Sequence, residues 1–436
     1  LLRFDRLFFE AERMSVSIMS NLATAQQSAG TGDRKIRVML VDDSAVVRGL
    51  MGRWLAEESN IDVVARCHNG LHALREVVII SPDIIFLIIE MPEMDGLEAL
   101  PLLLKAAPKA RVLIASSLSQ RNAEISLTAL SKGAHDYIAK PSTNSDLTTS
   151  SEFRIDLITK INALCIGCGG RVSYTIERAV PESEKPRSPS LRDGPPAMAR
   201  PAYSPGPSQR AAASHVSAPK IAPGSMSDTS VNPANFRKYN YVVPEILCIG
   251  SSTGGPRAVQ TVLSAIAPYI NNIPVVLTQH MPGTFTTVFA GHLDKALPVP
   301  VAEAVEGETL MPGKVYVAPG SRHLMFKRGL SGVDVVLDNG PEVNFCKPAV
   351  DNMFASANKI YGSKILGVIL TGMGQDGVAG GKLIADSGGN ILVQDAASSI
   401  VWGMPGAAYK AGICAGVFSL DEIGSKIIKA LKGASL

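Results

Sequence analysis

From Lys35 onward, short apolar runs alternate with stretches in which apolar residues recur every three or four positions. Val38 to Val41 reads as a strand, Ala45 to Glu57 as a helix, Val63 to Ala65 as a strand, Gly70 to Ile80 as a helix and Ile84 to Ile89 as a strand. Strands at Arg111 to Ala115 and Asp136 to Ile138 follow, with helical stretches between and after them, and the pattern ends near Leu164. Roughly five strands and five helices in this order suit one doubly wound parallel sheet.

The pattern then stops. Between Pro181 and Pro233 lie 11 of the chain's 28 prolines, mixed with Ser, Ala and Gly, and such a stretch cannot repay its ordering entropy. Residues 165–240 are therefore expected to be a linker. From Glu245 the alternation resumes: a strand Ile246 to Ile249, a helix from Pro256, a strand Pro274 to Thr278, strands near Val315 and Val335, a helix Ala349 to Ile360, a strand Ile365 to Leu370 and a helix from Val378. The expected fold class is α/β, with two doubly wound parallel-sheet domains, 35–164 and 241–436, joined by a Pro-rich linker.

Composition narrows the function classes. Apolar residues at 46% can bury cores, and no apolar run approaches the ~18 residues of a membrane span, so direct membrane insertion is not expected. The formal charge is +3, but residues 171–240 hold ten basic and five acidic side chains, which leaves the remainder at 3 − 5 = −2. A nucleic-acid partner is not expected of such a surface. Six scattered cysteines (Cys67, Cys165, Cys168, Cys248, Cys346, Cys414) fit a reducing cytoplasm, and the lone Cys165-Ile166-Gly167-Cys168 lacks the second pair of a zinc site. Residues 1–34 have no signal-peptide pattern and read as a disordered or non-native extension, with a translation start expected at Met14 or Met19.

Candidate chemistry lies in the second domain. Gly250-Ser251-Ser252-Thr253-Gly254-Gly255-Pro256 follows a strand and opens a helix, and its G-x-S-x-G spacing centres on Ser252. Small flanking residues permit the tight turn that lifts a nucleophilic hydroxyl to the sheet edge, although a phosphate-binding or plain turn has the same spelling. His280 follows the next strand, and Asp376 lies in the glycine-rich Thr371 to Gly377 after another, so nucleophile, base and carboxylate fall on one edge. The order Ser, His, Asp departs from that of ordinary α/β-hydrolases, and His323 competes with His280 for the base.

The segments Gly250 to Pro256, Gln279 to Pro282, Tyr316 to Pro319 with His323-Leu324, Leu370 to Gly374 with Asp376-Gly377, and Gly403 to Pro405 resemble the catalytic domain of chemotaxis protein-glutamate methylesterases. The resemblance implies Ser252 as nucleophile, His280 as general base, Asp376 as its orienting partner and the amides of Thr253 and Met373 as oxyanion donors. It implies hydrolysis of glutamate γ-methyl esters on the cytoplasmic helices of a chemoreceptor, with deamidation of glutamines, and no cofactor or metal for catalysis. One departure is Cys346-Lys347-Pro348-Ala349, with Lys and Ala where relatives often carry Arg and Ser.

Val41 to Ser44, Glu90 to Gly96, Ser116 and Lys140-Pro141 resemble a response-regulator receiver domain. That resemblance implies Asp42 and Asp43 as the acidic pair for Mg²⁺, Ser116 and Lys140 as the switch residues, and a chemotaxis histidine kinase as partner. The phosphoacceptor position, two residues before Glu90, is Ile88. Neither Glu90, beyond the strand, nor Asp83, at its other end, replaces it, so phosphorylation by the usual route and firm Mg²⁺ binding are not expected. Two other readings stay open: a serine esterase for another substrate, and a non-enzymatic receptor-docking regulator.

Overall fold

The structure is a computed structural model and describes residues 34–140, 151–166 and 231–436. Of the expected extension 1–34 only Arg34 is described, pairing with Asp83 at 2.7 Å; residues 1–33, Pro141, Cys168 and most of the expected linker lie outside the described residues.

The first sheet holds β1 (Ile36–Val41), β2 (Ile61–Cys67), β3 (Ile84–Ile88), β4 (Arg111–Ser117) and β5 (Asp136–Lys140), in the order β2-β1-β3-β4-β5, all parallel. Helices α1 (Ala45–Ala56), α2 (Gly70–Ile80), α3 (Gly96–Ala106), α4 (Gln120–Ser131) and α5 (Ser151–Leu164) connect or follow the strands. Every residue of β3 is buried, which is why it reads as an unbroken apolar run: a central parallel strand is covered on both faces. Helix starts are set by side-chain caps, with the oxygens of Ser44, Asn69, Asp95 and Ser119 accepting from backbone amides of the first turn.

The second sheet has seven parallel strands in the order β14-β13-β12-β6-β7-β9-β8. These are β6 (Ile246–Ser251), β7 (Val275–Gln279), β8 (Val301–Glu303), β9 (Val315–Val317), β12 (Ile365–Ile369), β13 (Asn390–Gln394) and β14 (Gly416–Phe418). The chain leaves β6 toward β7 on one side, while β12 pairs with β6 on the other. That change of direction marks the switch point at the carboxyl ends of the strands, where α/β sheets hold their ligands.

One part of this domain departs from the parallel expectation. β10 (His323–Arg328) and β11 (Val333–Asp338) pair antiparallel in a separate two-stranded sheet. The helices are α6 (Gly255–Ile266), α7 (Gly283–Ala296), α8 (Val350–Tyr361), α9 (Val378–Asp386), α10 (Met404–Lys410) and α11 (Leu420–Leu431).

The two sheets are packed together through helices. α4 lies against α7, and one apolar cluster runs from Leu127 and Leu130 of α4 through Tyr137 of β5 to Phe285, Val288 and Phe289 of α7. The rings of Tyr137 and Phe285 stack at 4.5 Å between centroids with 11° between planes, and both are buried.

Candidate active site

Ser252 sits immediately after β6 in the turn to α6. Gly254 takes φ +75°, a left-handed conformation that costs glycine little, and Pro256 occupies the first turn of the helix. The turn is held from below by polar contacts. Gln279 donates from Nε2 to the Ser252 carbonyl at 2.9 Å, and its Oε1 accepts from the Ser251 hydroxyl at 2.6 Å. Thr371 donates from Oγ1 to the Thr253 carbonyl at 2.9 Å, and the Ser252 amide donates to the Thr371 carbonyl at 3.1 Å. The glycine loop approaches so closely that a Cβ on Gly372 would stand 2.8 Å from that of Ser252. Among the described residues, neither the Ser252 hydroxyl nor the amides of Thr253 and Met373 have a hydrogen-bond partner.

His280 follows β7, and its amide donates to the Ser251 carbonyl at 3.1 Å, which fixes it beside the serine turn. Its Nε2 lies 2.8 Å from Asp376 Oδ2. Asp376 is buried and accepts from the amides of Val350 at 2.6 Å, Asp351 at 3.0 Å and Gly377 at 3.0 Å. Burial works to raise this carboxyl, but the His280 contact and these amides outweigh it and hold it below its usual range. For His280 burial works the other way, toward the neutral ring, and hydrogen bonds to Asp376 and Cys346 overcome it and raise the ring above its ordinary value. Asp351, also buried, ties the loop down by accepting from Gly377 at 3.1 Å and Gly380 at 2.7 Å.

The competing histidine is accounted for by its surroundings. His323 is fully buried, its Nδ1 accepts from the Ala349 amide at 3.1 Å and its Nε2 donates to the Pro341 carbonyl at 2.9 Å. Both nitrogens are engaged, so it has neither lone pair nor proton to spare.

Sequence reasoning gave no role to Gln279, Thr371, Asp351, Asn344 or Cys346. Asn344 donates from Nδ2 to Asp351 at 2.9 Å and to Asp376 at 3.3 Å. Cys346 Sγ stands 3.4 Å from His280 Nδ1, the ring nitrogen that Asp376 does not hold.

In the first domain, Asp42 is fully buried at the carboxyl end of β1, while Asp43 is exposed. Asp42 accepts from the Ser44 amide at 2.9 Å and pairs with Lys140 at 3.3 Å. Burial raises its pKa, with Lys140 opposing. Ile88 is buried at the end of β3 opposite Ala115, and Ser116 is buried with its hydroxyl 2.6 Å from that of Ser126. These residues do not make a good Mg²⁺ site. A hard cation wants several oxygens, and here one carboxylate is already taken by an ammonium while the third position is a hydrocarbon.

The contact between the domains reaches the serine turn itself. Thr253 Oγ1 donates to Asp136 Oδ2 at 3.0 Å, and Lys160 of α5 donates to Asp136 at 2.8 Å and to the Tyr137 carbonyl at 2.8 Å.

A serine at a strand-to-helix turn, with a carboxylate-held histidine on the same switch-point edge of a parallel sheet, is an arrangement like that of α/β serine hydrolases. The family model described as CheB methylesterase matches residues 247–427, and that of the response regulator receiver domain matches residues 38–152. The protein-glutamate methylesterase/protein-glutamine glutaminase of group 2 operon of Bradyrhizobium diazoefficiens is 44% identical over 420 residues, covering 96% of this chain and 99% of that protein. The protein-glutamate methylesterase/protein-glutamine glutaminase of Rhodopseudomonas palustris strain HaA2 is 45% identical over 398 residues, 91% and 95% of the two chains. The crystal structure of the Thermotoga maritima CheB methylesterase catalytic domain is 39% identical and covers 43% of this chain and 99% of that one, with a TM-score of 0.42. The chain belongs to the CheB methylesterase family, in the form that carries an N-terminal receiver domain.

Proposed function

We propose that this enzyme hydrolyses glutamate γ-methyl esters, and the corresponding glutamine amides, on the cytoplasmic helices of a chemoreceptor, and so works in the cytoplasm. The supporting observation is the His280–Asp376 pair fixed beside Ser252 at the sheet's switch point. Ser252 attacks the ester carbonyl while Nδ1 of neutral His280, the nitrogen opposite Asp376, takes its proton. Asp376 stays ionised and holds the ring. The oxyanion meets the amides of Thr253 and Met373, which have no other acceptor among the described residues. His280 then protonates departing methanol, or ammonia from an amide, and activates the water that frees the glutamate.

The receiver is read as a cover. It holds Asp136 against Thr253, so a carboxylate stands beside the place where negative charge must develop, and the docked chain is repressed. Ile88 and the Lys140–Asp42 pair support a receiver that is not phosphorylated by the usual route, so a chemotaxis histidine kinase would not relieve repression by transfer to position 88.

Methanol release from methylated receptor membranes tests this reading, with the full chain beside a fragment beginning at Arg237. Faster release by the fragment supports both parts, and equal rates remove the repression. Release from small esters alone points to another substrate. No release from either leaves a docking protein.

A further inference from the structure

We propose that Cys346 and His280 form a reversible binding site for a thiolate-seeking divalent cation, Zn²⁺ above all, and that its occupation switches the esterase off. The inhibitory part rests on the catalytic reading above; the binding part does not.

Three side chains of metal-ligating type, His280, Cys346 and Asp376, meet here with ligand atoms all within 4.8 Å of one another. Their arrangement distinguishes ligands from support. Asp376 has its oxygens committed to backbone amides and to Nε2 of His280. A carboxylate on the far nitrogen of a ligating histidine is the usual outer partner of a zinc site, since it fixes the tautomer and directs the other lone pair at the metal. That other nitrogen, Nδ1, faces Cys346 Sγ at 3.4 Å. An ion at ~2.05 Å from nitrogen and ~2.3 Å from sulfur with a tetrahedral angle needs the two atoms about 3.6 Å apart, so the pair requires almost no movement.

The backbone presents the sulfur. Val343 and Cys346 exchange amide-to-carbonyl hydrogen bonds at 3.1 and 2.9 Å around Asn344 and Phe345, whose φ values are +52° and +60°. This is a two-residue hairpin turn of the kind that needs two left-handed residues, and it returns Cys346 to the histidine. Cys346 is half-buried, whereas Cys67, Cys165, Cys248 and Cys414 are buried, so among the described cysteines it is the one an ion can reach. Two protein ligands leave two positions for water or a substrate oxygen, which suits reversible rather than structural binding. On binding, the thiol proton and the Nδ1 proton of the protonated ring leave to solvent, and the freed thiolate and the Nδ1 lone pair bind the metal. His280 then cannot accept the proton of Ser252.

The test uses the full chain and two readouts. Zn²⁺ is titrated into the methanol-release assay and removed with a chelator, and Co²⁺ is titrated without substrate while thiolate-to-cobalt charge-transfer absorption is recorded. Expected are reversible inhibition, a shift of at least about tenfold in the inhibiting Zn²⁺ concentration for Cys346→Ala relative to its own uninhibited rate, and a charge-transfer band that Cys346→Ala lacks. The absence of that band in the native chain, or its persistence in Cys346→Ala, overturns the site. A band without inhibition overturns the switch. Should the chain release no methanol at all, the esterase reading fails while the cobalt spectrum still decides the metal site.

Discussion

The hydroxyl of Thr253, next in the chain to Ser252, donates to the carboxylate of Asp136 in the receiver at 3.0 Å. This bond crosses between domains at the residue whose amide is proposed to meet the oxyanion. It is backed by the stacked Tyr137 and Phe285 rings and by Lys160, which holds Asp136 from the other side. Asp136→Ala removes a carboxylate from beside the proposed oxyanion position and leaves Lys160 without its hydrogen-bonded carboxylate. The expected outcome is a rise in methanol release of about tenfold or more, toward the rate of the fragment beginning at Arg237. Tyr137→Ala, which removes the ring stack instead, is expected to act in the same direction. Rates unchanged in both variants would show that docking at the serine turn does not restrain the enzyme.

Asp376→Asn keeps the shape of the side chain but turns an amide group toward a site lined with donors, the amides of Val350, Asp351 and Gly377. The histidine then loses its charged partner and its tautomer. A fall in kcat of about 10⁴ is expected, as for the equivalent change in well-studied triads, with KM little altered. A loss below about tenfold would remove Asp376 from the catalytic group.

His280 must be neutral to act as a base, yet burial, which favours the neutral ring, is outweighed by Asp376 and Cys346, and its pKa is raised. The ring is therefore protonated below that raised value, and kcat/KM is expected to climb as pH rises through it. Cys346→Ala takes away one of the raising partners, so its ascending limb is expected at lower pH. An ascending limb at the same pH in both proteins would contradict the role given to the sulfur contact.

The receiver makes a separate prediction. With acetyl phosphate and Mg²⁺, intact-mass measurement is expected to find no labile phosphoryl adduct on the first domain, because Ile88 offers no carboxylate and Lys140 already pairs with Asp42. Ile88→Asp restores the missing oxygen donor and is expected to produce the adduct. An adduct on the unaltered chain would overturn this.

Much of this arrangement was legible in the sequence, for a physical reason. Ser252, His280 and Asp376 each follow an apolar run that became β6, β7 or β12, and parallel strands deliver their carboxyl ends to a common edge whatever the loops do. The same logic located the receiver site from Asp42, Ile88 and Lys140. The three-residue strands β8, β9 and β14 are too short for period-2 reading, and of these only β9 is anticipated, as a strand near Val315. α7 opens with Gly-Thr-Phe-Thr-Thr and has no side-chain cap, so its start carried no signal, whereas the Ser419–Glu422 capping box of α11 was readable and went unread. β11 is the strand read near Val335 within the alternation from which the parallel sheet was argued, but it pairs antiparallel with the unread β10 in a separate hairpin. Cys346 could not be found this way: it meets His280 from 66 positions away through a turn of two non-glycine residues with positive φ, which no composition rule anticipates.

Ser252 is proposed as the nucleophile, and every step of the proposed reaction depends on it. Its most direct test is methanol release from methylated receptor membranes by the fragment beginning at Arg237, which lacks the covering receiver, compared with the same fragment carrying Ser252→Ala. The expected result is a fall of about 10⁴ to 10⁶ in turnover, to background, with receptor binding retained. A modest loss, with methanol still released in step with added enzyme, would contradict the account.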